Sequence, residues 1–357
     1  MNRPIHNHPN LLPWDENDDS SDDDSSVEEE IPTPEEVTVE YTYPQDFQDR
    51  PWQDVVGRDP VTGQLLYEGH FFRLLLDPSC TQIAAYKFKN CSRLIELVVP
   101  KNSVLTHIQH DAFYGCNNLQ RITNGFPETL LIVEDYAFCL CRALHGRLVI
   151  PPKVRRLGFQ CFLWCSALTS VVFEASTSTT VGTSPHMAVV LGSYCFARCT
   201  QLKFVRLPPT LITIPTECFL GCINLIDILI PKSVQQIGRR SFKECRNLRS
   251  MELSDTVEEL GPGAFLNCTS LERISIGGSS LQVQFGANIF LGCSSLSIIK
   301  MYPWLYPKLF EAMRYDPSFI YKFFHQYHHQ ILEETDWGGG GGPTTPSIQT
   351  EDDDDDG

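Results

Sequence analysis

Long apolar runs are missing from this chain. No stretch of its 357 residues approaches the roughly 18 consecutive apolar side chains of a membrane-crossing helix, so no membrane span is expected. The first residues, Met1 to Trp14, carry His6, Asn7, His8 and Pro9 where a secretory signal would be apolar. The expectation is an intracellular protein, cytoplasmic or nuclear. Catalytic signatures are missing too: there is no Gly-x-Gly-x-x-Gly, no phosphate-cradling glycine loop and no His-Glu-x-x-His, so no enzyme, cofactor or metal is expected. Positive charge is scarce, with 28 Lys and Arg against 44 Asp and Glu. That balance, and the scatter of the arginines, argue against nucleic acid as the partner.

What charge there is sits unevenly. Residues 1–59 hold 17 acidic and 3 basic side chains, and Glu351 to Asp356 add six more carboxylates. Between residues 80 and 332 the balance reverses to 24 basic against 16 acidic. Acidic, apolar-poor ends cannot bury enough surface to fold, so residues 1–60 read as a disordered arm. Residues 335–357, with the linker Gly338 to Gly342, read as a disordered tail. In the arm, Ser20, Ser21, Ser25 and Ser26 each precede an acidic residue by three positions. This resembles the substrate pattern of acidophilic casein-type kinases, and the four serines are candidate phosphorylation sites.

The middle of the chain repeats itself. Phe88, Phe113, Phe138, Phe162, Phe196, Phe219, Phe242, Phe265 and Phe290 are each followed after three residues by a Cys and after six by a Leu. Five residues before each stands an aliphatic or aromatic side chain, from Ile83 to Phe285. The step is 23 to 25 residues, except for one of 34 between Phe162 and Phe196. A period of that size means a solenoid, in which each unit buries its apolar side on its neighbours. After the Leu, alternation as in Phe204-Val-Arg-Leu207 predicts a short strand with one buried face. A second aliphatic pair, as in Gln236-Ile237, predicts another extended piece before the turn that carries the Phe. The strands are expected to form a parallel ladder on the concave side, with a phenylalanine spine inside.

These columns resemble the leucine-rich repeats of BspA-like (Treponema-type) proteins, over about residues 83–303. The resemblance implies a leucine-rich-repeat solenoid of nine units, mainly short parallel strands with turns and short helical segments. It also implies a recognition surface rather than a reaction centre. Two departures stand out: one extra residue between Leu144 and Ile150, and a polar insertion, Glu174 to His186, in the long step.

Nine of the 14 cysteines occupy the column after Phe; Cys161, Cys195 and Cys218 take the small position before it. They read as buried, reduced thiols. The Cys-x3-Cys pairs therefore merge two core columns and are not expected to hold zinc. His325, His328 and His329 are placed on the wet side of a capping helix that Asp316-Pro317 would start, with Phe319, Phe323, Tyr327 and Ile331 facing the core. The glycosylation-like triplets at Asn90 and Asn267 lie inside repeats and are set aside.

Between the buried strand columns, outward residues pair off from repeat to repeat, from Glu96 with Val98 to Ile298 with Lys300. Arg147, Val149, Val172, Phe204, Arg206, Asp227 and Leu229 form the candidate partner-binding set, because aromatic and arginine side chains together compose protein hot spots. The reading is a non-catalytic recognition scaffold or adaptor for a protein partner that the sequence does not specify. The alternative is a cell-surface adhesion protein exported by a non-classical route. Domain boundaries fall at 1–60 (arm), 61–82 (N-terminal cap), 83–303 (repeats), 304–334 (helical cap) and 335–357 (tail).

Overall fold

In the computed structural model the described residues are 37–47, 50, 52, 71–175, 188–277, 283–317 and 319–323. All belong to one unit, residues 32–357. Two kinds of strand alternate along the repeats. The longer ones are β1 (Val37–Tyr43), β2 (Phe71–Leu76), β4 (Leu94–Val98), β6 (Arg121–Thr123), β8 (Gly146–Ile150), β10 (Leu168–Phe173), β12 (Phe204–Arg206), β14 (Asp227–Leu229), β16 (Ser250–Leu253), β18 (Arg273–Ile276) and β20 (Ile298–Lys300). The others are two-residue strands: β3 (Gln82–Ile83), β5 (His107–Ile108), β7 (Ile132–Val133), β9 (Arg156–Leu157), β11 (Val190–Leu191), β13 (Thr213–Ile214), β15 (Gln236–Ile237), β17 (Glu259–Leu260) and β19 (Gln284–Phe285).

Longer strands pair in parallel as β1-β2-β4-β6, β8-β10-β12-β14 and β16-β18-β20. Short strands pair as β3-β5-β7-β9-β11 and β13-β15-β17-β19. The first interruption of the long ladder coincides with the extra residue after Leu144, where Gly146 takes φ +83°, a backbone that glycine adopts without steric cost. The solenoid of nine parallel turns is thus as the repeat period implies.

The turn that carries each Phe has an unusual backbone. Two residues before and two after every repeat Phe, φ is positive, from Tyr86 (+59°) and Asn90 (+57°) to Asn288 (+56°) and Gly292 (+76°). In left-handed backbone an L side chain crowds its own carbonyl. The stacking of repeats imposes it anyway. The N–H groups of Tyr136, Phe138 and Leu140 donate to the carbonyls of Phe159, Cys161 and Leu163 at 2.8–2.9 Å, and the other turns repeat the arrangement. Each turn thereby satisfies its buried donors on the next repeat.

Inside the turns, the nine repeat phenylalanines stack with centroids 5.0–5.8 Å apart and planes within 20° of parallel. All are buried, and burial of each stabilises by ~1.5–3 kcal/mol. The cysteine column does more than fill space. From Cys116 to Cys293, each thiol donates to the carbonyl of the preceding repeat's Phe at 3.0–3.3 Å. Desolvation pushes the thiols of this column from Cys116 to Cys268 up, Cys222 to about 12, so they remain protonated donors. An alanine would leave the carbonyl without that partner.

Both ends of the array are capped. Strand β1 pairs with β2 from Val37↔Phe71 to Tyr43↔Leu76. Phe47 is buried edge-on against Phe88 at 5.0 Å, and the buried Trp52 donates its indole N–H to the Lys89 carbonyl at 3.1 Å. This corrects the sequence-based boundary at 60, since part of the stretch assigned to the acidic arm seals the first repeat. The alternation Val37-Thr-Val-Glu-Tyr-Thr-Tyr43 was the signal, hidden by the acidic composition around it. Of the cap placed at 61–82, residues 61–70 lie outside the described residues.

After β20, a 3-10 turn (Pro303–Leu305) leads into α1 (Tyr306–Ala312), which buries Leu305, Tyr306 and Leu309. The N–H of Asn288, in the last repeat turn, donates to Ala312 O at 3.2 Å. Asp316 then caps a new helical stretch by accepting the Phe319 N–H at 3.1 Å, and Phe319 extends the stack onto Phe290 at 6.0 Å. Tyr327, Ile331 and the three histidines lie outside the described residues.

Candidate interaction face

The outward side chains of the longer strands form two files in the register expected from sequence. One file runs Glu40, Arg73, Glu96, Arg121 across β1-β2-β4-β6. It resumes as Arg147, Ser170, Phe204, Asp227 across β8-β10-β12-β14. Beside it, Val149, Val172, Arg206 and Leu229 stand in register.

In the first region every charge of the file has a partner. Arg73 reaches Glu40 at 2.8 Å and Glu96 at 2.7 Å; Arg121 reaches Glu96 at 2.9 Å. The Thr123 hydroxyl also donates to Glu96. Glu96 is only 2% exposed. Burial by itself raises its pKa, but the hydrogen bonds and charges of Arg121, Thr123 and Arg73 hold it below the usual carboxylate range. Glu96, Arg121 and Thr123 were read as part of an outward face; in the structure they are occupied with one another and with Arg73.

The middle region differs. The side chains of Arg147, Arg206 and Asp227 are exposed and, among the described residues, make no ion pair or hydrogen bond. Phe204 is half-buried between Ser170 and Asp227, and Leu229 is 52% exposed. Lys203, the residue before Phe204, is exposed as well. One member of the predicted set is misplaced. Val172 is buried, with Val149 in register on one side and Arg206 on the other.

Sequence reasoning passed over a second feature, on the turn edge. A small apolar cluster separate from the solenoid core buries Tyr114, Cys139, Leu163 and Ala197. Half-exposed Tyr136, Leu140, Trp164, Tyr194 and Leu220 pack on it. The Tyr136, Phe159 and Tyr194 rings meet edge to face at 5.4 and 5.7 Å. The guanidiniums of Arg142 and Arg198 stand 5.6 and 5.8 Å from the Trp164 ring centre, within cation–π reach. The signal was present: in three consecutive repeats one of the positions two before or two after Phe is aromatic, as Tyr136, Trp164 and Tyr194. Those columns lie outside the four that define the repeat.

The remaining sequence candidates are accounted for or lie elsewhere. Cys165, Cys199 and Cys222 are carbonyl donors, as described above. Among the described residues no group of three or more His, Cys, Asp and Glu side chains is arranged to hold a metal. No helix of the described residues is long and apolar enough to cross a membrane. Ser20, Ser21, Ser25 and Ser26 lie outside the described residues, as does most of the insertion, residues 176–187. Asn90 and Asn267 each hold a left-handed turn position.

A leucine-rich repeat protein of T. pallidum shares 27% identity, over 49% of this chain and 77% of its own, with a TM-score of 0.41. One from Bacteroides ovatus shares 22% over 65% of this chain and 69% of its own, TM-score 0.44. The pneumococcal vaccine antigen PcpA shares 19% over 72% and 80%, TM-score 0.34. No curated protein matches the chain. The pattern of the BspA-type leucine-rich repeat region, six copies long, matches residues 81–187 and 189–304, more than half of the sequence, and so the chain belongs to the BspA-type leucine-rich-repeat family.

Proposed function

We propose that this protein is a non-catalytic recognition scaffold that binds a protein partner through the outward face of β8, β10, β12 and β14. The observation that carries the reading is the contrast along one file of side chains. Charges in β1-β2-β4-β6 neutralise one another, whereas Arg147, Arg206 and Asp227 are unpaired beside Phe204 and the exposed Leu229. An aromatic and an aliphatic anchor ringed by arginines is the composition of an interface centre. Val172 is removed from the contact set on account of its burial; Arg147, Val149, Phe204, Arg206, Asp227 and Leu229 remain. A reducing compartment suits the chain, since all fourteen cysteines are free and nearly all are buried, and this favours an adaptor inside the cell over an exported adhesion protein.

The test is affinity capture from native lysate with the wild-type chain and with Phe204→Ala/Arg206→Ala. Identification and reconstitution of the captured protein in purified form would follow. The double variant should melt with the wild type and lose the purified partner by at least tenfold. A partner that binds both chains equally would move the site off this face.

A further inference from the structure

We propose that the face of the two-residue strands docks a second copy of this chain, about a twofold axis that lies along β13 in the plane of contact. The inference starts from where charge sits. Each short strand, with the residue before it, offers two positions ahead of the column that faces the core. In seven of the nine repeats neither position holds Lys, Arg, Asp or Glu. Repeat four has Arg155 and Arg156 there, and repeat eight has Glu258 and Glu259, the same frame with opposite sign.

All four side chains are exposed. Arg156 reaches Asp135 at 2.8 Å, yet both remain exposed. Among the described residues the side chains of Arg155, Glu258 and Glu259 make no ion pair or hydrogen bond. At a strand spacing of ~4.8 Å, β9 and β17 stand about 19 Å apart, too far for their charges to pair within one chain.

The second observation is symmetry. Strand β13 lies midway between β9 and β17, with β11 on one side and β15 on the other. The phenylalanine stack runs unbroken through these five repeats, with centroids 5.4–5.8 Å apart. Arg156 and Glu259 each stand six residues before the Phe of their repeat. Arg156 is in register with Val190, and Glu259 with Gln236 and through it with Thr213. Half a turn about β13 therefore keeps position along the strands and exchanges β9 with β17. Arg155 and Arg156 of each copy then face Glu258 and Glu259 of the other, the reciprocal pattern of an isologous contact. An axis across the strands would set arginine on arginine, so the same charges also select the geometry.

Third, the middle of the face is apolar. Val190, on β11, is 58% exposed, and Ile212, beside β13, is 39% exposed. The axis brings the Ile212 side chains of the two copies together. Aliphatic side chains at the centre with complementary charges toward the rim match the anatomy of a protein interface.

The experiment is sedimentation velocity of the full chain over a concentration series, with two charge-reversed variants. Wild type should dimerise. Arg155→Glu/Arg156→Glu makes both charged strands acidic, and Glu258→Arg/Glu259→Arg makes both basic. Each variant alone should associate at least about tenfold more weakly than wild type. Mixed in equal amounts, the two should form a heterodimer, since base then faces acid at both ends; this rescue separates lost docking from lost folding. Phe204→Ala/Arg206→Ala, on the longer strands, should dimerise as wild type does. The proposal is overturned if wild type stays monomeric at every concentration, which would leave the face to a different partner. It is also overturned if either reversed variant dimerises as wild type does, if their mixture does not associate, or if Phe204→Ala/Arg206→Ala abolishes the dimer.

Discussion

Two stretches of one side-chain file, built on the same parallel ladder, end in opposite electrostatic states. Across β1, β2, β4 and β6 the order is acid, base, acid, base, and each guanidinium lies within 2.9 Å of a carboxylate. Across β8, β10, β12 and β14 the order is Arg147, Ser170, Phe204, Asp227, and among the described residues neither Arg147 nor Asp227 forms an ion pair. Parallel strands in register bring equivalent positions side by side. Whether charges at those positions cancel or remain available therefore depends on which residue each repeat contributes. The first region uses its face for cohesion and the second leaves it for contact.

Both regions rest on one spine, and breaking that spine should give the largest effect. Phe113→Ala, under the paired region, and Phe219→Ala, under the open one, should each cost ~3–5 kcal/mol by denaturant unfolding. A near-neutral result at either would disprove the stacked column there. Next in size is Glu96→Ala, which removes the shared acceptor of Arg73, Arg121 and Thr123. A loss of about 1.5–3 kcal/mol is expected, tempered because both arginines are partly exposed and rehydrate.

The same carboxylate sharpens the comparison through pH. Its folded pKa lies below the unfolded value of about 4.3, so its contribution is complete above that value. It is lost as pH falls through the folded pKa. Melting curves of wild type and Glu96→Gln should differ at pH 7 and converge toward pH 3. A gap that is constant with pH would show that Glu96 stabilises by packing rather than by charge.

The smallest effect belongs to the open region. Arg206→Ala and Asp227→Ala should each change stability by no more than about 0.5 kcal/mol, because neither makes an ion pair. If either destabilises as much as Glu96→Ala, the two regions are not different in kind.

Much of this was legible beforehand. The strand register, the buried Phe, Cys and Leu columns and the Asp316 cap follow from spacing, because a repeat of fixed length leaves its buried positions little freedom. The part of the N-terminal cap before residue 60 was missed, since composition is averaged over a window and the acidic neighbours of Val37–Tyr43 outweighed its alternation. Val172 was misassigned for a related reason. Alternation says which way a side chain points, not how deeply its neighbours cover it.

By itself the sequence determined the architecture: four columns repeated nine times admit only stacked turns, because each unit must bury the same side chains on the next. Only the tertiary structure decided which surface charges are spent and which are free, and that aromatic residues flanking the spine gather on one edge. Those outcomes depend on distances between side chains 20 or more residues apart, which are set when neighbouring repeats come into register and not before.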